Sequence, residues 1–150
     1  MRENQTPFFS TPVEQLTDDQ ASQELEALAS AVNPGSDGLL FHPYLYGERS
    51  PFYNPDAKGS FLAIAYWHNR GHFVRSVMEG VAFSIANCFD VLQEIAVQRH
   101  EKVQRVRIGM GGGGRSALWK QIIADTLNFP IDVMRAEEPG CLGAALLAGV

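Results

Sequence analysis

Five of the six residues from Gly109 to Gly114 are glycines, with Met110 the exception. Glycine gives up side-chain packing and loses the most backbone freedom on folding, so such a run belongs where a chain turns sharply or lets another group approach closely. Strand-like Val106-Arg107-Ile108 precedes the run and a helix-like stretch, Ser116–Asn128, follows it. A helix that starts just past such a turn aims unpaired N–H groups and the positive end of its dipole at the loop, which suits a phosphate. The chemistry indicated is anion binding, as in one half of a nucleotide site.

Three explanations compete for this run. Read literally, Gly109-x-Gly111-x-x-Gly114 matches the dinucleotide fingerprint, with Glu137 or Glu138 about 20 residues further on. That fold places the glycine unit first in its run of parallel strands, whereas here it lies near the C-terminal end. A P-loop is excluded, because Arg115 stands where the lysine of a Lys-Ser/Thr pair is needed. The third explanation is close strand–helix packing with no ligand. Ser116 has the residue type of a helix N-cap, Arg115 either reaches a phosphate or stays on the surface, and Trp119 and Gln121 read as packing and support.

Other candidate groups are weaker. His68 and His72 have the i,i+4 spacing of a helical metal pair, but Gly71 intervenes and no nearby acidic residue in the sequence completes a site. Glu48 and Arg49 fall in a long loop where an ion pair is the simple expectation. Asp125 and Glu79 lie on helices among core residues, where capping or ion pairing accounts for them. Neither a catalytic residue nor a metal ligand is assigned.

The elements that must position the glycine run follow from periodicity. Thr17-Asp18-Asp19-Gln20 is a capping box, and Leu25, Leu28, Ala29 and Val32 recur at helical spacing, so a helix runs to about Val32. Asn33-Pro34-Gly35 ends it. Leu39-Leu40-Phe41 reads as a strand stopped at Pro43, Tyr44 to Gly59 as a long loop, and Ser60 to Ala65 as a second strand. From Gly71 to about Gln98 the series Phe73, Val77, Val81, Ile85, Cys88, Leu92, Ile95 predicts one long amphipathic helix, with Arg75, Glu79, Asp90 and Glu94 outside its apolar register. Ile131 to Met134 is the strand that completes a β-α-β unit, and Gly140 to Val150, small and apolar, reads as a helix packed closely on its neighbours.

A chain of 150 residues with net charge −5 has a single-domain length and lacks the clustered Lys and Arg of a nucleic-acid binder. Two cysteines without a CxxC, Cys88 and Cys141, read as buried thiols of a reducing cytoplasm. By the sequence no apolar stretch reaches membrane-span length and the N-terminus has no signal-peptide core, so the expectation is a soluble, cytoplasmic protein without a membrane partner.

Gly112-Gly113-Gly114-Arg115-Ser116-Ala117-Leu118-Trp119-Lys120-Gln121-Ile122-Ile123-Ala124-Asp125 resembles the adenosine-binding segment of the FGGY carbohydrate kinases, the sugar-kinase branch of the actin-like ATPases. Gly59-Ser60-Phe61-Leu62-Ala63-Ile64 with Gly71 and His72-Phe73-Val74-Arg75-Ser76-Val77-Met78-Glu79 resembles that family's C-terminal signature, departing at Ala63, where the pattern has glycine. Pro43-Tyr44-Leu45-Tyr46-Gly47-Glu48-Arg49-Ser50-Pro51 and Glu138-Pro139-Gly140-Cys141-Leu142-Gly143-Ala144-Ala145 are similar to further family segments, in family order. The flavour is that of a xylulose kinase.

The resemblance implies an α/β fold, part of an actin-like (ribonuclease H-like) ATPase domain with long helices packed on a sheet. Residues 1–38 would form an irregular arm and a helix, and residues 39–150 part of the C-terminal nucleotide-binding domain. It implies ATP and a small-molecule sugar as partners. The backbone of Gly112, Gly113 and Gly114 would lie against ribose and phosphates, with Ser116 and Ala117 at the adenine edge. The family's magnesium-holding Asp and catalytic Asp are not matched here, so Mg2+ is expected in a part of the enzyme outside this chain, which by itself is expected to be inactive and to self-associate. A stand-alone nucleotide-binding or regulatory module is the alternative, and a Rossmann fragment a further one.

Overall fold

The computed structural model describes residues 17–109, 112–134 and 139–149. These form helices α1 (Asp18–Ser30), α2 (Arg70–Gln98), α3 (Ala117–Leu127) and α4 (Pro139–Ala148), and strands β1 (Leu40–His42), β2 (Ser60–Leu62), β3 (Val106–Ile108) and β4 (Ile131–Val133). They divide into two compact units, one built from residues up to Tyr46 with Ala57–Val81, the other from Gly47–Asp56 with Ala82 onward.

In the first unit, α1 starts where the sequence places it. Thr17 caps it, its side chain accepting from the Gln20 amide while the Gln20 side chain accepts from the Thr17 amide. After α1 the chain turns through Gly35, at φ +87°, and enters β1, which pairs antiparallel with β2 in the register Phe41 opposite Phe61. The Phe41 and Phe61 rings lie 4.7 Å apart and Phe61 meets Phe73 of α2 at 5.1 Å, so the hairpin and the first half of α2 share an aromatic contact. Gly80 permits that packing, because a Cβ there would overlap the Phe41 carbonyl oxygen. β2 is shorter than the expected Ser60–Ala65 strand; Ala63, at φ +60°, leaves the extended conformation and ends it.

α2 spans the expected residues, but the predicted apolar stripe is not its buried face: Phe73, Val77, Val81 and Cys88 are half-buried and Ile85, Leu92 and Ile95 exposed, while Met78, Ala82 and Phe89 are buried together with the polar His72, Arg75, Ser76 and Glu79. Arg75 and Glu79 are 6% and 7% exposed and form an ion pair. The Arg75 Nη1 donates to the carbonyls of Ala29 and Val32, and Glu79 accepts from the Gly35 amide at 2.9 Å and the Ser36 hydroxyl at 3.0 Å. The pair thus satisfies carbonyls at the C-terminal end of α1, which a helix end otherwise leaves open, together with the Gly35 amide and Ser36 hydroxyl of the turn that follows.

In the second unit, β3 and β4 pair parallel, Val106 opposite Ile131, with α3 between them in sequence, which is the expected β-α-β unit. Asn128 caps the C-terminus of α3 in the left-handed conformation. Ile122, Ile123 and Leu127 of α3 are buried, as are Ala82 and Phe89 of α2, and the Phe89 ring meets Phe129 at 5.6 Å.

Several expectations are corrected. Cys141 is exposed and Cys88 half-buried with its thiol 3.5 Å from the Ser50 carbonyl oxygen, so neither is a buried core thiol. From Phe83 onward α2 exposes Phe83, Leu92 and Ile95, and α4 exposes Leu142, Leu146 and Leu147, so α4 is not packed closely on its neighbours. At 29 residues α2 is long and apolar enough to span a bilayer, contrary to the reading of the sequence, although its first half is seated in a protein core by Gly80 and the Arg75–Glu79 pair.

Candidate functional site

The glycine run connects β3 to α3 within the second unit. Met110 and Gly111 lie outside the described residues, as do Glu137 and Glu138, on which the dinucleotide reading depends. Gly112–Arg115 forms one turn of 3-10 helix, Ser116 stands at the N-cap and Ala117 is the first residue of α3. The five candidate residues Gly112, Gly113, Gly114, Ser116 and Ala117 therefore occupy one continuous turn at the start of an 11-residue helix.

Each described position has its own physical reason. Gly114 is buried, and a Cβ there would overlap the Gly109 carbonyl oxygen, so the turn folds back on the end of β3 at a distance only glycine allows. Its φ is not positive, which makes close approach rather than a left-handed backbone the requirement. Gly113 is exposed. The Ser116 amide donates to the Gly113 carbonyl at 3.1 Å, and the Ser116 hydroxyl accepts from the Trp119 amide at 3.0 Å, as an N-cap does. Ala117 is exposed at the first turn, where the helix dipole ends and backbone N–H groups point outward. Gln121 donates to Asp125 at 2.7 Å, which gives Asp125 a helix-surface role.

The remaining candidates resolve differently. Glu48 is a loop cap, its carboxylate accepting from the amides of Arg49 and Ser50 at 2.7 and 3.0 Å. In the first unit His72 does have an acidic neighbour that sequence distance concealed: its Nε2 lies 3.0 Å from Asp37 Oδ2, and the His68 and His72 rings are 5.2 Å apart. Even so, among the described residues no group of three His, Cys, Asp or Glu side chains is placed to hold a metal ion.

Residues 7–150 match the model of the FGGY family of carbohydrate kinases, C-terminal domain. The chain belongs to that family. Its fold is accordingly the actin-like ATPase fold of FGGY sugar kinases, represented here by part of an α/β domain.

This FGGY domain is 40% identical over 123 residues to the gluconokinase of Bacillus subtilis, covering 82% of the chain and 23% of that protein. Among solved structures, the ligand-bound xylulose kinase from Lactobacillus acidophilus is matched with a TM-score of 0.73 and 31% identity over 90% of the chain and 26% of the kinase. The Plasmodium falciparum glycerol kinase with ADP is matched with a TM-score of 0.69 and 25% identity over 89% of the chain and 25% of that protein. The FGGY chain spans about a quarter of the length of these relatives.

Proposed function

We propose that this chain supplies the adenosine-binding half of the ATP site of a carbohydrate kinase. In this reading the backbone of Gly112, Gly113 and Gly114 lies along ribose and phosphates, and Ser116 and Ala117 border the adenine. The observation that carries it is the Gly113 turn. Exposed, without a side chain, and folded back so that Gly114 presses on the Gly109 carbonyl, it opens directly onto the N-terminus of α3. The likeness to a glycerol kinase holding ADP supports the same ligand class.

Phosphoryl transfer depends on positioning and on neutralising charge with metal ions. The family's magnesium-holding Asp and catalytic Asp are not matched in this sequence, so this reading assigns Mg2+, and the base that takes the sugar hydroxyl proton, to the portion of the family's length that this chain does not span. The substrate is a sugar such as xylulose or a related ketose or polyol, phosphorylated in the cytoplasm; gluconate is the second reading, favoured by the 40% identity to a gluconokinase.

The test is a calorimetric titration of the 150-residue chain with ADP, followed by a kinase assay with ATP, magnesium, xylulose, gluconate and glycerol. Binding of ADP without turnover is expected. Turnover by the chain alone at about 1–100 per second would overturn the assignment of metal and base elsewhere, and failure to bind ADP would overturn the adenosine site.

A further inference from the structure

Gly113 needs no left-handed backbone: among the described glycines, positive φ occurs at Gly35, Gly38 and Gly47. What a side chain at Gly113 would meet is another side chain. A Cβ there would lie 3.3 Å from Nε1 of Trp119, a tight approach that a shift of a few tenths of an ångström would relieve, and at contact distance, 3.4 and 3.5 Å, from its Cδ1 and Cε2, so the five-membered edge of the indole borders that space. Trp119 is half-buried and held in turn, since its amide donates to the Ser116 hydroxyl and the Ser116 amide donates to the Gly113 carbonyl. Gly113, Ser116 and Trp119 are thus linked by two hydrogen bonds, with the indole beside the turn. Gly114 differs, because its obstacle is the Gly109 backbone.

We infer that Trp119 is a positioning residue for the nucleotide: its indole, seated beside Gly113, helps to hold the turn in the binding conformation, and a methyl group at position 113 would have to displace it. The inference rests on the adenosine-site reading above. Trp119 touches no ligand in this scheme and acts by pre-organising the turn, so that less ordering remains to be done on binding.

A double-mutant cycle of Gly113→Ala and Trp119→Leu in the 150-residue chain tests it, read by ADP affinity in calorimetry and by thermal midpoint. Each single substitution is expected to weaken ADP binding at least about fivefold, and the double variant to return to within about threefold of wild type, because the new methyl group takes the space the indole leaves. Trp119→Phe, which keeps a ring against Gly113, is expected to retain most of the affinity. Losses that simply add in the double variant would overturn the proposal, since that is the result if a side chain at position 113 struck the nucleotide directly. If Gly113→Ala does not fold, recovery of a melting transition on adding Trp119→Leu supports the brace and its absence overturns it. A wild-type chain that binds no ADP overturns the adenosine site itself, and the melting arm alone then decides whether Trp119 sets the turn.

Discussion

The Nε of Arg75 donates to Glu79 Oε1 across 2.7 Å, one helical turn apart, in a setting where both side chains are less than a tenth exposed. Each also holds backbone or hydroxyl groups of the α1 end and its turn, so neither charge is isolated.

Removing one member of this pair leaves the other buried without its counter-charge, which costs about 3–5 kcal/mol. Glu79→Ala is therefore expected to lower the denaturant midpoint sharply or to prevent folding. Arg75→Leu combined with Glu79→Leu should recover a large part of that loss. Equal destabilisation by the single and double variants would show that the hydrogen bonds to Val32 and Gly35, rather than the stranded charge, dominate.

Ala63 adopts φ +60° at the position where the family signature has glycine. A left-handed alanine costs about 1–2 kcal/mol, whereas glycine gives back about 0.5–1 kcal/mol in unfolded-chain entropy. Ala63→Gly is expected to be stabilising by up to about 1 kcal/mol, read as a thermal midpoint raised by about 2–4 °C. A lowered midpoint would mean that the alanine methyl contributes packing that outweighs its backbone strain.

Ala117 is exposed at the first turn of α3, where a carboxylate favours the helix dipole. Ala117→Glu should leave the melting transition unchanged or slightly raised while adding bulk and negative charge at the proposed adenine edge. A loss of ADP affinity of at least tenfold, about 1.4 kcal/mol, is expected by calorimetry. Unchanged affinity would place the base elsewhere.

Local chemistry made much of this fold legible in the sequence. Thr17 and Ser116 cap the helices they precede because a hydroxyl finds its amide three residues on, whatever the rest of the chain does. The span of α2 and the β3-α3-β4 order follow from periodicity in the same way, but the buried face of α2 does not, since Ile85, Leu92 and Ile95 of the predicted stripe are exposed while Met78, Ala82 and Phe89 are buried. Ion pairing or capping at Glu79 was expected, but Arg75 as its partner and the burial of the pair were not legible, because periodicity counts apolar residues and treats charges as solvent-facing. Here their partners, Val32 and Gly35, arrive from more than 40 residues away. Asp37 beside His72 was hidden by sequence distance too. At the candidate site the glycine turn was visible as a whole, but its division of labour was not: Gly114 answers to the Gly109 carbonyl while Gly113 lies beside an indole, and a run of like residues does not tell the two apart.

The chain passes between its two compact units after Tyr46, after Asp56 and again within α2 after Val81. No contiguous piece of the gene therefore encodes either unit cleanly, and a protease nick in the 47–56 excursion would release neither. Vectorial synthesis feels this as a queue. Residues 47–56 leave the ribosome before the first unit is finished, and must wait for the chain beyond Ala82 before their own unit can close.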